Sequence, residues 1–293
     1  MAVLSQAVAQ QQRRSWSSGI FVFWHLLSLD APTVAVLWAW AFACAVRVRA
    51  APAALAVLGL GTWLIYVADR LLDSRANAPR DALRERHRFH AQHRRAFLLT
   101  SGFAGAALLW LIVRDLAPAA RRENAVIFGV FLVYFVFVHL IGSRFPRSLA
   151  VGLVFAAACA VPAWSRATAI PITWILSVAL FAALCWLNCA AIHVWERADP
   201  QGRALHILVI AACLALAAAA LAVACGTALR DPGALRLAVS VLASALLLLA
   251  LHFDHRRITS RDGGRAAGAT LSLRVLADAS LLTPLLFLVP WRL

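Results

Sequence analysis

The sequence is dominated by apolar runs that are long enough to cross a lipid bilayer. Stretches such as AVLWAWAFACAV, AVIFGVFLVYFVFVHLIG and LAVSVLASALLLLALHF each approach or reach the roughly 20 residues that span about 30 Å of hydrocarbon. Hydrophobic residues make up 63% of the chain, whereas soluble domains average roughly 45–50%. The chain is therefore predicted to be an integral membrane protein.

Breaks at proline, glycine and clustered charge divide the chain into candidate spans. Nine result, at approximately 24–46, 52–73, 95–116, 122–141, 148–164, 171–196, 204–226, 234–254 and 270–290. We predict one all-α polytopic membrane domain over residues 1–293. Residues 1–20 are expected to form a cytoplasmic tail or interfacial segment, 74–94 a cytoplasmic cap loop with a short helix, and 197–203 a second cytoplasmic loop.

The positive charge of the chain follows the loops. All 28 basic residues are arginine, and the formal net charge is +15. A nucleic-acid partner is not favoured, because the arginines cluster between apolar runs, where topology and anionic lipid headgroups account for them. An inside N-terminus puts 19 arginines on the cytoplasmic side and 9 outside. The positive-inside rule therefore predicts that orientation, in a bacterial cytoplasmic membrane.

Two acidic clusters end the second and sixth spans. Asp69 and Asp73 stand one turn apart at the end of span 2, whereas Asn188, Glu196 and Asp199 end span 6. Both spans are even-numbered, so both clusters face the cytoplasm. Their equivalent positions suggest an internal duplication in which the two helices face each other across a central cavity open to the cytoplasmic side.

Four converging carboxylates require cations. Oxygen ligands without a thiolate suit Mg²⁺, which is commonly completed by substrate phosphate oxygens. We predict that Mg²⁺ and arginine neutralise a departing pyrophosphate and leave an allylic carbocation in an apolar cavity. Guanidinium binds phosphate bidentately, which makes Arg70, Arg75 and Arg197 candidate contacts. The simpler alternative is that these charges are solvated helix ends.

Two further polar features have alternative interpretations. Asn188 is either a helix-to-helix hydrogen-bonding residue or a contact to metal or diphosphate. His87, His90 and His93 follow one another at i+3 spacing, which admits a zinc site. An amphipathic segment over the mouth of the cavity, touching headgroups or pyrophosphate, is the favoured interpretation, because no fourth ligand accompanies the histidines.

The first acidic cluster resembles a motif of the UbiA superfamily of intramembrane prenyltransferases, which have nine transmembrane helices and two Asp-rich motifs on helices 2 and 6. The first family motif reads N-D-x-x-D-x-x-x-D, and IYVADRLLD supplies its last two acids as Asp69 and Asp73. Ile65 and Tyr66 occupy the positions of its Asn and first Asp. The chain thus departs from the family at one expected metal ligand.

The second cluster resembles the second family motif, roughly D-x-x-x-D with Asn eight residues earlier. Asn188, Glu196 and Asp199 match it, with Glu for the first Asp and a spacing shortened by one residue. SRFPRS after span 4 is similar to the family's basic loop between helices 4 and 5. The resemblance therefore implies that Arg144 and Arg147 contact diphosphate.

The resemblance implies a Mg²⁺-dependent transferase that ionises an isoprenyl diphosphate and alkylates a lipophilic or aromatic acceptor in the bilayer. Asp69, Asp73, Glu196 and Asp199 would act as catalytic metal ligands together with Asn188, and the cavity would be lined by Tyr66, Phe135, Trp186 and His193. A membrane terpene cyclase, and a non-catalytic protein that binds or transports prenyl diphosphate or lipid, remain alternatives.

Overall fold

A computed structural model describes residues 19–73, 85–141, 147–196, 202–261 and 267–288. Within these ranges the chain forms helices and no strand. The α-helices are α1 (Gly19–Leu26), α2 (Asp30–Ala45), α3 (Pro52–Asp73), α4 (Glu85–Gln92), α5 (Arg94–Arg114), α6 (Pro118–Ile141), α7 (Arg147–Trp164), α8 (Ile172–Glu196), α9 (Gly202–Thr227), α10 (Pro232–Arg261) and α11 (Ala267–Ala279), and a 3-10 helix, Ser280–Leu288, follows directly.

Five helices are long and apolar enough to cross a membrane by length and composition. They comprise most of α3, α8, α9 and α10 and the whole of α5. The bent pair α1–α2 would make a sixth, and α7 is a shorter apolar helix. The chain is therefore an all-α protein compatible with multi-pass insertion, and its helices follow the predicted spans to within a few residues over most of their length.

The first predicted span, 24–46, is not one continuous helix. α1 ends at Leu26, α2 begins at Asp30, and the two axes differ in direction by 89°. Ser28 has a φ of 60°, a left-handed conformation that interrupts the helix. The backbone N–H of Ser28 donates to the carbonyl of His25, and that of Leu29 to the carbonyl of Trp24. The break places polar side chains inside an apolar run.

The main core lies between α2, α7, α8, α9 and α10. Trp38 of α2 stacks on Phe181 of α8 with ring centroids 4.0 Å apart, and both are fully buried. The Trp38 indole N–H donates to the carbonyl of Leu281 at 2.9 Å. Many other core positions are alanine, which lets the helices approach closely in a membrane. α2 is thus held by the last helices described.

Gly152 marks the closest approach of α7 to α8. A Cβ at this position would lie 2.8 Å from the carbonyl oxygen of Ala182 and 3.0 Å from the amide nitrogen of Trp186. These distances are shorter than real carbon contacts, so the backbones pack directly against one another here. Only glycine fits this contact without moving the helices apart.

α3 packs on the other side of α2, against α4 and α5. Val67, Leu71 and Phe97 form a small buried cluster where α3 ends and α5 begins. Only 6% of the most apolar window of α5 is buried, which suits a helix whose face contacts lipid. The end of α3 thereby lies beside the break between α1 and α2, where the candidate site is found.

Candidate functional site

Polar side chains meet at the end of the bundle where α3 terminates. They come from the α1–α2 break and from α3, α4, α8 and α11, and nearly all are buried. Because buried ionisable groups are costly at membrane depth and tend to mark function, we treat them as the candidate site. This buried polar cluster consists of His25, Ser28, Asp30, Arg70, His90, Asn188 and Asp278.

His25 lies between the two carboxylates of the cluster. Its Nδ1 is 2.8 Å from Oδ2 of Asp30 and 3.3 Å from Oδ2 of Asp278. The side chain is only 1% exposed, yet neither ring nitrogen has a partner with hydrogen-bond geometry among the described residues. The three side chains are therefore in contact without a well-directed hydrogen bond to the imidazole.

Each carboxylate is held in place by a hydrogen bond to Oδ1, the oxygen that does not face His25. Oδ1 of Asp30 accepts the backbone N–H of Ala31 at 2.9 Å, which belongs to the first turn of α2. Oδ1 of Asp278 accepts the side-chain amide of Asn188 at 3.1 Å. Both Oδ2 atoms are consequently directed at His25.

Arg70 supplies positive charge to the cluster from α3. Its Nη2 lies 3.6 Å from Oδ2 of Asp30, and its Nη1 donates to Oγ of Ser28 and, at 3.4 Å, to the carbonyl of His25. The guanidinium also lies 5.7 Å from the ring centroid of Tyr66. Arg70 therefore ties α3 to the break between α1 and α2.

His90 closes the cluster from α4. It is fully buried, its Nε2 lies 3.1 Å from Oγ of Ser28, and its ring stacks on Phe97 with centroids 4.0 Å apart. The predicted short helix in the cap segment is present as α4, and it covers the cluster through His90. His93, three residues later, is exposed and contacts the carbonyl of Phe89 through Nδ1.

An apolar groove of about 550 Å³ begins beside the cluster. It runs along α2 from Pro32, two residues after Asp30, to Trp40, a rise of about 12 Å for eight residues. Its opposite wall comes from the 3-10 helix that follows Asp278. The lining residues are Pro32, Thr33, Val36, Leu37, Trp40, Leu55, Leu282 and Leu285.

The predicted site residues with described side chains divide into two groups. Arg70, Asn188 and, through its contact with Arg70, Tyr66 lie at the cluster. Asp69 is half-buried and lies about 100° around α3 from Arg70, as consecutive helical residues do. The remaining two lie on α8: Trp186 is half-buried, and His193 is exposed.

The other predicted site residues lie outside the described side chains. Asp73 and Glu196 are the last residues of α3 and α8, Arg147 is the first of α7, and Phe135 belongs to α6. His87 lies on α4. Residues outside the described part of the chain are Arg75, Arg144, Arg197 and Asp199.

Sequence reasoning missed four members of the cluster: Ser28, which lies at the helix break, and three ionisable residues. His25, Asp30 and Asp278 are isolated polar residues in apolar surroundings, and their meeting depends on a helix break and on the packing of the first spanning segment against the last. One signal was available: Asp30 is the only aspartate, glutamate or arginine in the predicted span 24–46. Pro32 follows it at a position typical of the first turn of a helix. An acidic residue within an apolar run usually pairs with a specific polar group, so Asp30 indicated a buried polar contact.

Comparison with protein-family models, with curated proteins and with solved structures finds no match to this chain. The likeness to the UbiA superfamily therefore rests on the acidic clusters and the order of apolar segments alone.

Proposed function

We propose that this chain is a Mg²⁺-dependent prenyltransferase of the membrane, which ionises an isoprenyl diphosphate and transfers the prenyl group to a lipophilic or aromatic acceptor. Nine passes, an N-terminus inside and a bacterial cytoplasmic membrane belong to this proposal. The reaction breaks the carbon–oxygen bond to diphosphate, forms a bond from the allylic carbon to the acceptor, and releases a proton from the acceptor.

The observation that carries the proposal is that α3 and α8 reach one polar cluster. Arg70 of α3 and Asn188 of α8 are joined through Asp30, His25 and Asp278. The acidic segments continue from these two residues toward the helix ends, with Asp73 about 4.5 Å beyond Arg70 along the axis. The two segments thus emerge at the same end of the bundle, as a shared diphosphate site requires.

The groove beside the cluster supports an isoprenoid substrate. Its volume of about 550 Å³ falls within the range of small-molecule sites, and its walls are almost wholly apolar. Because one end of the groove is lined by Pro32, two residues after Asp30, a chain lying in it would have its charged head toward the cluster. The groove would hold the prenyl chain and keep water from the allylic carbon.

The described residues fit part of a magnesium site. Among the predicted ligands, Asp69 and Asn188 have described side chains. Oδ1 of Asn188 is buried and has no hydrogen-bond partner among the described residues, so it offers a hard oxygen that a cation would satisfy. Asp69, Asp73, Glu196 and Asp199 would complete the ligand set. Bound Mg²⁺ supplies neutralisation of the pyrophosphate that leaves.

Aromatic and arginine side chains have separate roles in the proposed reaction. Tyr66 and the aromatic residues predicted beside it present ring faces to the cation. Arg70 is engaged with Asp30 and Ser28, so any diphosphate contact from this residue would compete with these bonds. Arg75 and Arg144, the other arginines predicted from the sequence to contact diphosphate, would then neutralise it.

Pyrophosphate release tests the proposal. Purified protein in lipid nanodiscs is given Mg²⁺ and labelled geranyl, farnesyl or geranylgeranyl diphosphate. Release is expected to fall at least tenfold in Asp69→Asn and Glu196→Gln, and to persist in Asp115→Asn, where an exposed carboxylate ends α5. Undiminished release in the first two variants, or none in the unaltered protein, would overturn the proposal. Products formed without acceptor would identify a cyclase.

The second candidate is a binding or transport protein for lipid or prenyl diphosphate. It is favoured by Ile65 and Tyr66, which replace an amide and a carboxylate of the family motif, and by the many contacts within the cluster. Ionisable groups paired at membrane depth also occur along transport pathways. Tight diphosphate binding with no turnover over hours would favour this candidate.

A further inference from the structure

We propose that His25, Asp30 and Asp278 form a site for one first-row transition-metal dication, Mn²⁺, Fe²⁺ or Zn²⁺, distinct from the Mg²⁺ of the proposed transfer reaction. The three ligand atoms lie within 4.8 Å of one another. Metal bonds of about 2.1 Å place neighbouring ligand atoms about 3.0–3.4 Å apart in octahedral or tetrahedral geometry. The two measured separations from His25, 2.8 and 3.3 Å, are close to that range.

Unsatisfied buried atoms point to the same position. His25 is 1% exposed, and neither of its ring nitrogens has a hydrogen-bond partner in the described ranges. Nδ1 faces the two carboxylates at 2.8 and 3.3 Å without hydrogen-bond geometry, and coordination would give it a directed partner. A buried polar group without one costs free energy. Oδ1 of Asn188 is a second unsatisfied buried atom at the cluster, but the proposed Mg²⁺ site uses it, so it is not counted among the ligands here.

The surrounding bonds orient the carboxylates as metal ligands. Ala31 binds Oδ1 of Asp30, and Asn188 binds Oδ1 of Asp278, so each residue keeps Oδ2 for the ion. Such outer contacts commonly fix ligand orientation in metal sites. Arg70 lies 3.6 Å from Oδ2 of Asp30, and it offsets one of the two negative charges.

The donor set determines the class of metal. Imidazole nitrogen with two carboxylates suits Zn²⁺, Fe²⁺ or Mn²⁺, whereas Mg²⁺ prefers oxygen ligands and retained waters. With His25 neutral, the net charge of the two carboxylates, Arg70 and a dication together is +1. Three protein ligands also leave a coordination position open, and the positive charge favours an anion there.

Metal content of the purified protein tests the site without reference to turnover. Protein stripped with chelator in detergent is loaded separately with Mn²⁺, Zn²⁺ and, without oxygen, Fe²⁺, then desalted and measured by mass spectrometry. One equivalent of at least one metal is expected, together with a rise in melting temperature. His25→Gln and Asp278→Asn should lose the metal, whereas the control His93→Gln, at an exposed histidine of the same face of the bundle, should keep it.

A second measurement uses the unaltered protein, so it gives a result even if the variants do not fold. X-ray absorption of the loaded, unaltered protein should show nitrogen and oxygen ligands with the scattering of one imidazole. Less than a tenth of an equivalent of all three metals, equal loading in His25→Gln, or absence of imidazole scattering would each overturn the proposal. These results are distinguishable from failure of the transfer reaction, which is measured by pyrophosphate release with Mg²⁺.

Discussion

Removing the Arg70 guanidinium tests whether the buried polar cluster holds the bundle together. In Arg70→Met, Asp30 would lose the charged partner that lies 3.6 Å away, and Ser28 would lose a hydrogen bond. Both Arg70 and Asp30 are almost fully buried, so water cannot replace the interaction. Breaking a buried ion pair by removing one partner costs about 3–5 kcal/mol, or roughly two to three and a half powers of ten in the folding equilibrium.

Reversible unfolding in mixed micelles by added SDS measures this cost. The matched control is Arg114→Met, because Arg114 also lies over an aromatic ring, 5.2 Å from the centroid of Trp110, but is exposed at the far end of α5. The control should lose no more than about 1 kcal/mol. The double variant Arg70→Met/Asp30→Asn should recover part of the loss, since it removes the uncompensated charge. Equal stability of Arg70→Met and Arg114→Met would refute the reasoning.

Three further perturbations address the packing, a helix start and the groove. Gly152→Ala should destabilise the protein by at least about 1 kcal/mol, because its Cβ would meet backbone atoms of α8; Gly61→Ala, with open space around the new methyl group, should be neutral or stabilising in the same unfolding assay. Asp231→Ala should cost about 1 kcal/mol through loss of the cap on the N–H of Ala234, and an unchanged unfolding midpoint would contradict that assignment. Leu55→Trp should fill the groove and slow prenyl transfer at least tenfold without changing stability; transfer at the original rate would remove the groove from the reaction.

The positions of most helices were predictable from the sequence because each apolar run ends at a chemically evident break. Pro52 and Pro232 open α3 and α10, as proline commonly does at the first helical position. The interruption at Ser28 was not predictable from hydropathy, since Leu27 and Leu29 flank it and leave the mean hydropathy high.

The candidate site was only partly predictable. Arg70 and Asn188 stood out because each accompanies an acidic motif, and the structure places both at the cluster. Their partners Asp30 and Asp278 belong to α2 and α11, which are far apart in the sequence. A single sequence contains no signal for that contact, which arises from tertiary packing rather than from local spacing.

The contacts of α1 and α2 with α11 and the 3-10 helix have a consequence for synthesis of the chain. His25 and Trp38 are made early in synthesis, but their partners Asp278 and Leu281 follow at least 243 residues later. Until then the imidazole of His25 lacks one of its two carboxylates, and the indole N–H of Trp38 lacks its acceptor. A chain that stops before residue 278 would therefore lack both contacts, and the early helices would depend on their other neighbours alone.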